Sequence, residues 1–236
     1  MMRRGAYDKR ERSADMRREY LAGRCLLLAA GLVIMAYGVA LSIQAGLGTS
    51  PISSLPYTLS QLTPLTVGTA TIGMHCVLIL MQILLLRRDY SPVQLLQLPV
   101  ALLFGWLTDL TLSTIQFLSP ESYLERWGCC LLGILLVGIG VSCEVNAQVV
   151  PLAGEGFILA VCQTFSLTFP KVKVGFDCSL VGIACILGLL GQGRLLGVRE
   201  GTVAAAVLVG LVSKQVTKRA VKPIMEHVRP AFFRER

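Results

Sequence analysis

The apolar residues of this chain fall in long blocks, without the strict alternation of a half-buried strand. Between Arg24 and Arg87 there is no Asp, Glu, Lys or Arg, whereas a helix needs only about 20 apolar residues to cross a bilayer. That stretch must cross more than once. Bounding the blocks by charge, Pro and Gly gives six predicted spans, about 25–45, 67–86, 94–118, 128–146, 174–192 and 201–217. Two shorter apolar pieces remain, Pro51 to Leu62 and Gly154 to Leu167, bracketed by Pro51 and Pro64 and by Pro151 and Pro170. Each suits a half-membrane or re-entrant helix better than a full crossing.

Loop charges favour six crossings over eight. With a cytoplasmic N-terminus, six crossings place 19 of the 22 basic residues inside and leave Arg126, Arg194 and Arg199 outside. If both short pieces crossed fully, Arg87 and Arg88 would move outside. The order span, half-helix, span, span then occurs twice. Gly38-Val39 matches Gly140-Val141 and Gln61 matches Gln163, both 102 positions apart, and Val67-Gly68 matches Val174-Gly175 after an insertion. In the last span of each half, Phe104 to Asp109 stands against Val209 to Lys214. Three crossings per half, an odd number, turn the second half upside down. The expected fold is an all-α polytopic membrane protein, six transmembrane helices plus two re-entrant half-helices in a 3+3 inverted repeat. Its expected parts are a basic cytoplasmic tail (1–24), a first repeat (25–118), a second repeat (119–217) and a basic cytoplasmic tail (218–236).

Composition agrees with this pattern. Of the 236 residues, 54% are hydrophobic and 15% charged, with mean hydropathy +0.66, against roughly 25% charged in an ordinary soluble domain. No long polar stretch leaves room for a separate soluble domain. The net charge of +8 is concentrated in the tails, with eight basic residues up to Arg24 and seven from Lys214 onward. Basic tails of this kind suit anionic headgroups of an inner membrane. Without a basic stripe interleaved with aromatics, nucleic acid is not an expected partner. The eight cysteines lie in apolar runs with no Cys-x-x-Cys and read as small packing residues. No cleavage site follows the first apolar run, so it is not expected to be removed.

The turn Gly46-Leu47-Gly48-Thr49-Ser50-Pro51, the span start Val67-Gly68-Thr69, Asp109 in the third span and Gly201-Thr202 opening the last together resemble the YczE/YyaS/YitT group of bacterial integral membrane proteins. The resemblance covers roughly Leu26 to Val216 and implies a six-span inner-membrane protein. It departs from the pattern in the second half, where Val150-Pro151 and Gly154-Glu155-Gly156 replace a Gly-Pro turn.

Candidate chemistry centres on the half-helices. The first opens after Gly48 with Thr49, Ser50 and Ser53 beside unpaired backbone N–H groups, a site suited to an anionic group; otherwise Ser50 simply caps a surface helix with Pro51 in its first turn. In the second, Glu155 takes the place of the hydroxyls, where it can cap the helix, take a proton, or bind a cation or a substrate amino group. Gln61 and Gln163, with Asn146 and Gln148, are candidates to line a cavity, or to bond helix to helix. Asp177 is expected to cap the fifth span or join Glu155 in an acidic patch. Asp109 reads as an outward-facing anchor or gate, and Lys214 as a side chain snorkelling to the inner headgroups. His75, the one histidine in a span, is a candidate for proton coupling or a packed core residue. One histidine makes no metal site.

The chain lacks G-x-x-x-x-G-K-[ST], H-E-x-x-H and G-x-S-x-G, and no enzymatic activity or cofactor is expected. The expected function is a secondary transporter of a small anionic or zwitterionic solute across the bacterial inner membrane. Gly48, Thr49, Ser50, Ser53, Glu155, Gln61 and Gln163 would hold the solute, and Glu155, Asp177, Asp109 and His75 are candidates for ion coupling. The alternative is a non-transporting membrane subunit that stabilises or regulates another membrane protein. The expected partners are the lipid bilayer and a small solute, and a homo-oligomer is compatible with the sequence.

Overall fold

The structure, a computed structural model, describes the backbone of residues 2–221 and the side chains of residues 21–221. The side chains of residues 1–20 of the first basic tail and all of the second beyond Val221 lie outside the described residues. Eight α-helices follow one another: α1 (Met2–Ala45), α2 (Pro51–Leu62), α3 (Val67–Leu86), α4 (Gln97–Thr114), α5 (Tyr123–Ala147), α6 (Ala153–Phe165), α7 (Phe169–Gln192) and α8 (Glu200–Val216). A short π-helical turn, Thr217–Val221, extends α8.

Five stretches are long and apolar enough to cross a membrane: Leu21–Ala45, Val67–Asp89, Pro92–Thr114, Tyr123–Ala147 and Phe169–Gln192. Five of the six predicted spans fall on them, with ends shifted by a few residues, and the sixth, 201–217, falls on α8. α5 starts earlier than predicted because Ser122 and Glu125 form a capping box around its first turn, and α7 starts earlier because Pro170 is tolerated in a first turn. α8 has 17 residues, the lower limit of a crossing. The two short pieces are separate helices, α2 of 12 residues and α6 of 13.

Apolar side chains such as Leu80, Leu84, Ile186 and Leu190 are exposed on the outer faces of α3 and α7. In a bilayer those faces meet hydrocarbon, so packing between helices relies on close approach and hydrogen bonds more than on escape from water. The same reasoning corrects one expectation. Cys130 and Cys143 are buried, but Cys25, Cys76 and Cys178 are exposed, because a small apolar thiol is as well placed against lipid as in a core. All eight are free thiols.

The most extensive helix pair is α1 with α5. They run antiparallel and meet through four glycines. A Cβ on Gly31 would lie 3.0 Å from the Gly140 carbonyl oxygen, and one on Gly38 would lie 2.8 Å from that of Gly133. The contacts are reciprocal, since a Cβ on Gly140 would lie 2.7 Å from the Gly31 carbonyl and one on Gly133 would lie 2.8 Å from that of Gly38. Leu32, Met35, Ala36, Val39 and Val137 flank this seam as a buried cluster. Gly140→Ala puts a methyl group against backbone that cannot swing aside, and is expected to cost about 1–3 kcal/mol. Gly128, with nothing within 4 Å of its would-be Cβ, is the control. A lowered melting temperature in detergent for Gly140→Ala, with Gly128→Ala unchanged, is the expected result.

Candidate functional site

The two half-helices meet at their N-terminal ends. Ile52, in the first turn of α2, fills the space beside Gly154, in the first turn of α6, where a Cβ would lie 2.5 Å from Ile52 Cδ1. Around this junction lies a cavity of about 490 Å³. Residues of all eight helices contribute to its wall, with Ser50, Ser53, His75, Glu144, Glu155, Lys173, Asp177 and Lys214 among its polar groups, beside Met, Val, Ile and Phe side chains.

Each half-helix is held by residues from the other half of the chain. At α2, Thr49 donates its N–H to the Gly197 carbonyl at 2.9 Å, Gly201 donates to the Leu47 carbonyl at 2.8 Å, and Thr58 Oγ1 donates to the Leu196 carbonyl at 2.9 Å. Gly48 has φ +98°, a conformation L side chains rarely adopt, and a Cβ there would lie 2.5 Å from Thr202 Oγ1. At α6, Gln82 Nε2 donates to Gln97 Oε1 at 3.0 Å and to the Ala153 carbonyl at 3.1 Å, while Gln97 Nε2 donates to Gln82 Oε1 at 3.2 Å. Both glutamines are fully buried, and together they satisfy each other and bond the first carbonyl of α6.

Of the candidates drawn from the sequence, the cavity brings together Ser50, Ser53, His75, Glu155 and Asp177. Ser50 Oγ donates to Ser53 Oγ at 3.0 Å, and Asp177 accepts from Lys173 Nζ at 3.0 Å one helical turn away. Gly48 and Thr49 are not on its wall, since Gly48 packs against Arg199 and Thr202 and Thr49 is bonded to Gly197 of the α7–α8 loop. Gln61 and Gln163 are exposed at the far ends of the half-helices, because a side chain three turns from a buried tip has emerged at the opposite end. The Gln61 carbonyl accepts from Gln192 Nε2. Asn146 donates to the Ser142 carbonyl and to Thr217 Oγ1, the helix-to-helix alternative. The Gln148 carbonyl accepts from Arg24.

Asp109 is likewise outside the cavity, and its partners define a closed seam. Its Oδ1 accepts from Gly68 N–H at 2.7 Å and its Oδ2 from Thr66 Oγ1 at 2.6 Å, so it caps α3 from α4. Gly105 packs against Gly68 beside it, a Cβ there lying 2.7 Å from the Gly68 carbonyl. Among the described residues α7 and α8 form no such seam, and both Gly175 and Gly210 have nothing within 4 Å of a would-be Cβ. The cavity wall includes Phe169, Lys173, Val174 and Asp177 of α7 and Ala206, Gly210, Ser213 and Lys214 of α8. Lys214 therefore stands at the edge of the cavity, where headgroup snorkelling alone was expected.

Sequence reasoning passed over Glu144. It is 2% exposed, its Oε1 accepts from the Leu152 N–H at 2.7 Å, and its other oxygen has no partner among the described residues. Glu155 Oε2 and His75 Nδ1 are buried and unpartnered in the same cavity. The signal for Glu144 was present, a lone acid near the end of an apolar run, where an ionisable residue marks function by default.

Removing the α3 cap tests the closed seam. Asp109→Ala leaves the Gly68 N–H and the Thr66 hydroxyl without their acceptor and is expected to cost about 1–3 kcal/mol, read as a lower melting temperature. Lys214→Ala, with no ion pair to lose among the described residues, is expected to leave it unchanged.

The chain is similar in sequence to YyaS of Bacillus subtilis (strain 168), an uncharacterized protein, at 28% identity over 187 residues, covering 78% of this chain and 91% of that one. An uncharacterized protein of Haemophilus influenzae is 28% identical over 187 residues, 79% of each chain. YczE of Bacillus subtilis (strain 168), an uncharacterized membrane protein, is 27% identical over 186 residues, 78% of this chain and 80% of its own. No solved structure matches. The model of a family of unknown function, DUF6198, matches residues 22–218, nearly the whole of the described helical bundle, and the chain belongs to that family, within the group that includes YczE and YyaS.

Proposed function

We propose that this protein is a secondary transporter of a small anionic or zwitterionic solute in the bacterial inner membrane, with both termini cytoplasmic. In this reading α8 is the sixth crossing and α2 and α6 are re-entrant. The observation that carries the reading is the pair of half-helix starts meeting at one cavity that holds buried, unpartnered acids. Unpaired N–H groups at such starts favour anionic groups, and broken helices meeting at mid-depth are how many transporters build a solute site.

An inverted repeat is supported by the way the helices pair. α2 packs on α7 as α6 packs on α3, and α1 packs on α4 as α5 packs on α8. The central pair α1 and α5 carries its glycines at matching positions, Gly31 with Gly133 and Gly38 with Gly140, each 102 apart. Those are the residues in reciprocal contact, as a two-fold axis between antiparallel helices requires. One relation is broken. α3 and α4 are sealed by Gly68, Gly105 and Asp109, whereas the matching Gly175, Gly210 and Lys214 leave α7 and α8 apart. A single conformation that breaks its own repeat in this way fits one of two alternating states, with the cavity open between α7 and α8. In the other state Gly175 and Gly210 pack and the α3–α4 seam opens. With Arg87 and Arg88 cytoplasmic, the open side faces the cytoplasm.

A test needs no knowledge of the solute. In a chain with its eight cysteines replaced, Ser53→Cys is expected to react with a membrane-impermeant thiol reagent added to either face of reconstituted vesicles. Cysteines at 175 and 210, oxidised to a disulfide, are expected to remove labelling from the cytoplasmic face and keep it from the outer one. Labelling from a single face under all conditions fits a non-transporting subunit and excludes transport through this cavity.

A further inference from the structure

We propose that the Glu144–Glu155 carboxyl pair is an ammonium subsite, where both acids bond the charged nitrogen of an amphipathic amine. The inference rests on the cavity being the solute site and names the part of the solute that the second half of the chain reads.

The geometry leaves the pair open to a ligand. Glu144 projects from α5 and Glu155 from the first turn of α6, and their carboxyl groups lie within hydrogen-bonding reach of each other. One oxygen of Glu144 is committed to the Leu152 N–H, which holds the α6 start in place. The remaining oxygen of Glu144, on a side chain 98% buried, and Oε2 of Glu155 have no donor among the described residues. The other charged and titratable groups around them are already placed. Lys173 of α7 is bonded to Asp177 of the same helix at 3.0 Å, Arg24 of α1 donates to the Ala147 and Gln148 carbonyls, Lys214 of α8 stands at the cavity edge, and His75 of α3 lies against Phe104 with Nδ1 unpartnered.

The chemistry selects the occupant. An anion at this pole meets two acids. A divalent cation of the calcium or magnesium type needs about six oxygen ligands, and no group of three His, Cys, Asp or Glu side chains is suited to a metal among the described residues. A primary ammonium carries three N–H donors and one positive charge, enough to bond both free carboxylate oxygens. Its body then lies among Met35, Val39, Phe104, Val137 and Val141, which line the same cavity. His75 Nδ1 offers one further hydrogen bond to a polar atom on that body.

The repeat gives the cavity its direction. The positions 102 residues before Glu144 and Glu155 are Ser42 and Ser53. Ser42 Oγ donates to the Gly38 carbonyl within its own helix, and Ser53 faces the cavity as a hydroxyl. The acidic pole therefore belongs to the second half alone. A zwitterion would lie with its ammonium on Glu144 and Glu155 and its acid toward Ser50 and Ser53.

Three probes with one apolar body test this: 2-phenylethylammonium, 2-phenylethanol and 3-phenylpropionate, titrated into the purified full-length protein in detergent. The ammonium is expected to bind saturably, at least tenfold more tightly than the alcohol. Glu144→Gln keeps the acceptor for Leu152, so it is expected to stay folded, as is Glu155→Gln. Each is expected to bring ammonium affinity down to that of the alcohol. Equal affinity for all three probes, preference for the propionate, or ammonium binding that survives both substitutions overturns the subsite. Binding is read without a membrane, so loss of two-sided access in vesicles with intact ammonium binding removes the transport reading and leaves the subsite standing.

Discussion

The antiparallel seam of α1 and α5 is the constraint on which the rest of this structure depends. In hydrocarbon, apolar side chains gain little by leaving lipid for one another, so helix association depends on how closely backbones approach. Gly31, Gly38, Gly133 and Gly140 allow an approach at which any Cβ would collide with the facing helix. Because the four contacts are reciprocal, the seam fixes distance and also relative direction. The C-terminal ends of α1 and α5 then lead into the two half-helices from opposite ends of the bundle, and both short helices turn back toward the same interior.

Burying two helix starts brings backbone donors and acceptors into a region without water, where each unsatisfied group is costly. The structure answers with groups borrowed across the repeat. Gly197 and Gly201 bond the turn that precedes α2, Leu196 accepts from Thr58 farther along it, and the mutually bonded Gln82 and Gln97 reach the first residue of α6. These bonds hold the half-helices rigidly while leaving their first turns facing the cavity. Ser50 and Ser53 provide hydroxyls there, and Glu155 an acid. Glu144 has a double role, one oxygen fastening the α6 start and the other facing the cavity. A substitution that merely emptied the cavity of charge would leave the first role intact only if it kept an acceptor, which is why a glutamine separates the two.

Polar residues in this protein divide by what lies across from them more than by their own helix. Asp109 and Asp177 are both acids near the end of an apolar helix. Asp109 meets the first turn of a neighbouring helix and becomes its cap, whereas Asp177 meets a lysine one turn away on its own helix beside the cavity. Lys214 occupies the place of Asp109 in the second half, yet it faces an open edge because α7 has not closed on α8. Thr49, beside Ser50 in sequence, is spent on the Gly197 carbonyl.

The sequence by itself determined the helices and their lengths, because uninterrupted apolar runs and the prolines and glycines that end them act locally. The separate existence of α2 and α6 was legible for the same reason, as was the place of Ser50, Ser53 and Glu155 in their first turns. What faces what was decided only by tertiary structure. In a mostly apolar chain inside and outside carry the same hydrophobicity, so pattern alone cannot say that Cys25 faces outward while Cys130 is buried, or that Gln61 and Gln163 emerge at the far ends of their helices. Glu144 shows the limit most clearly. Its rarity in an apolar run was a signal that sequence reasoning passed over, and only the return of the chain through α6 set it on the wall of the same cavity as Glu155, eleven positions away in sequence.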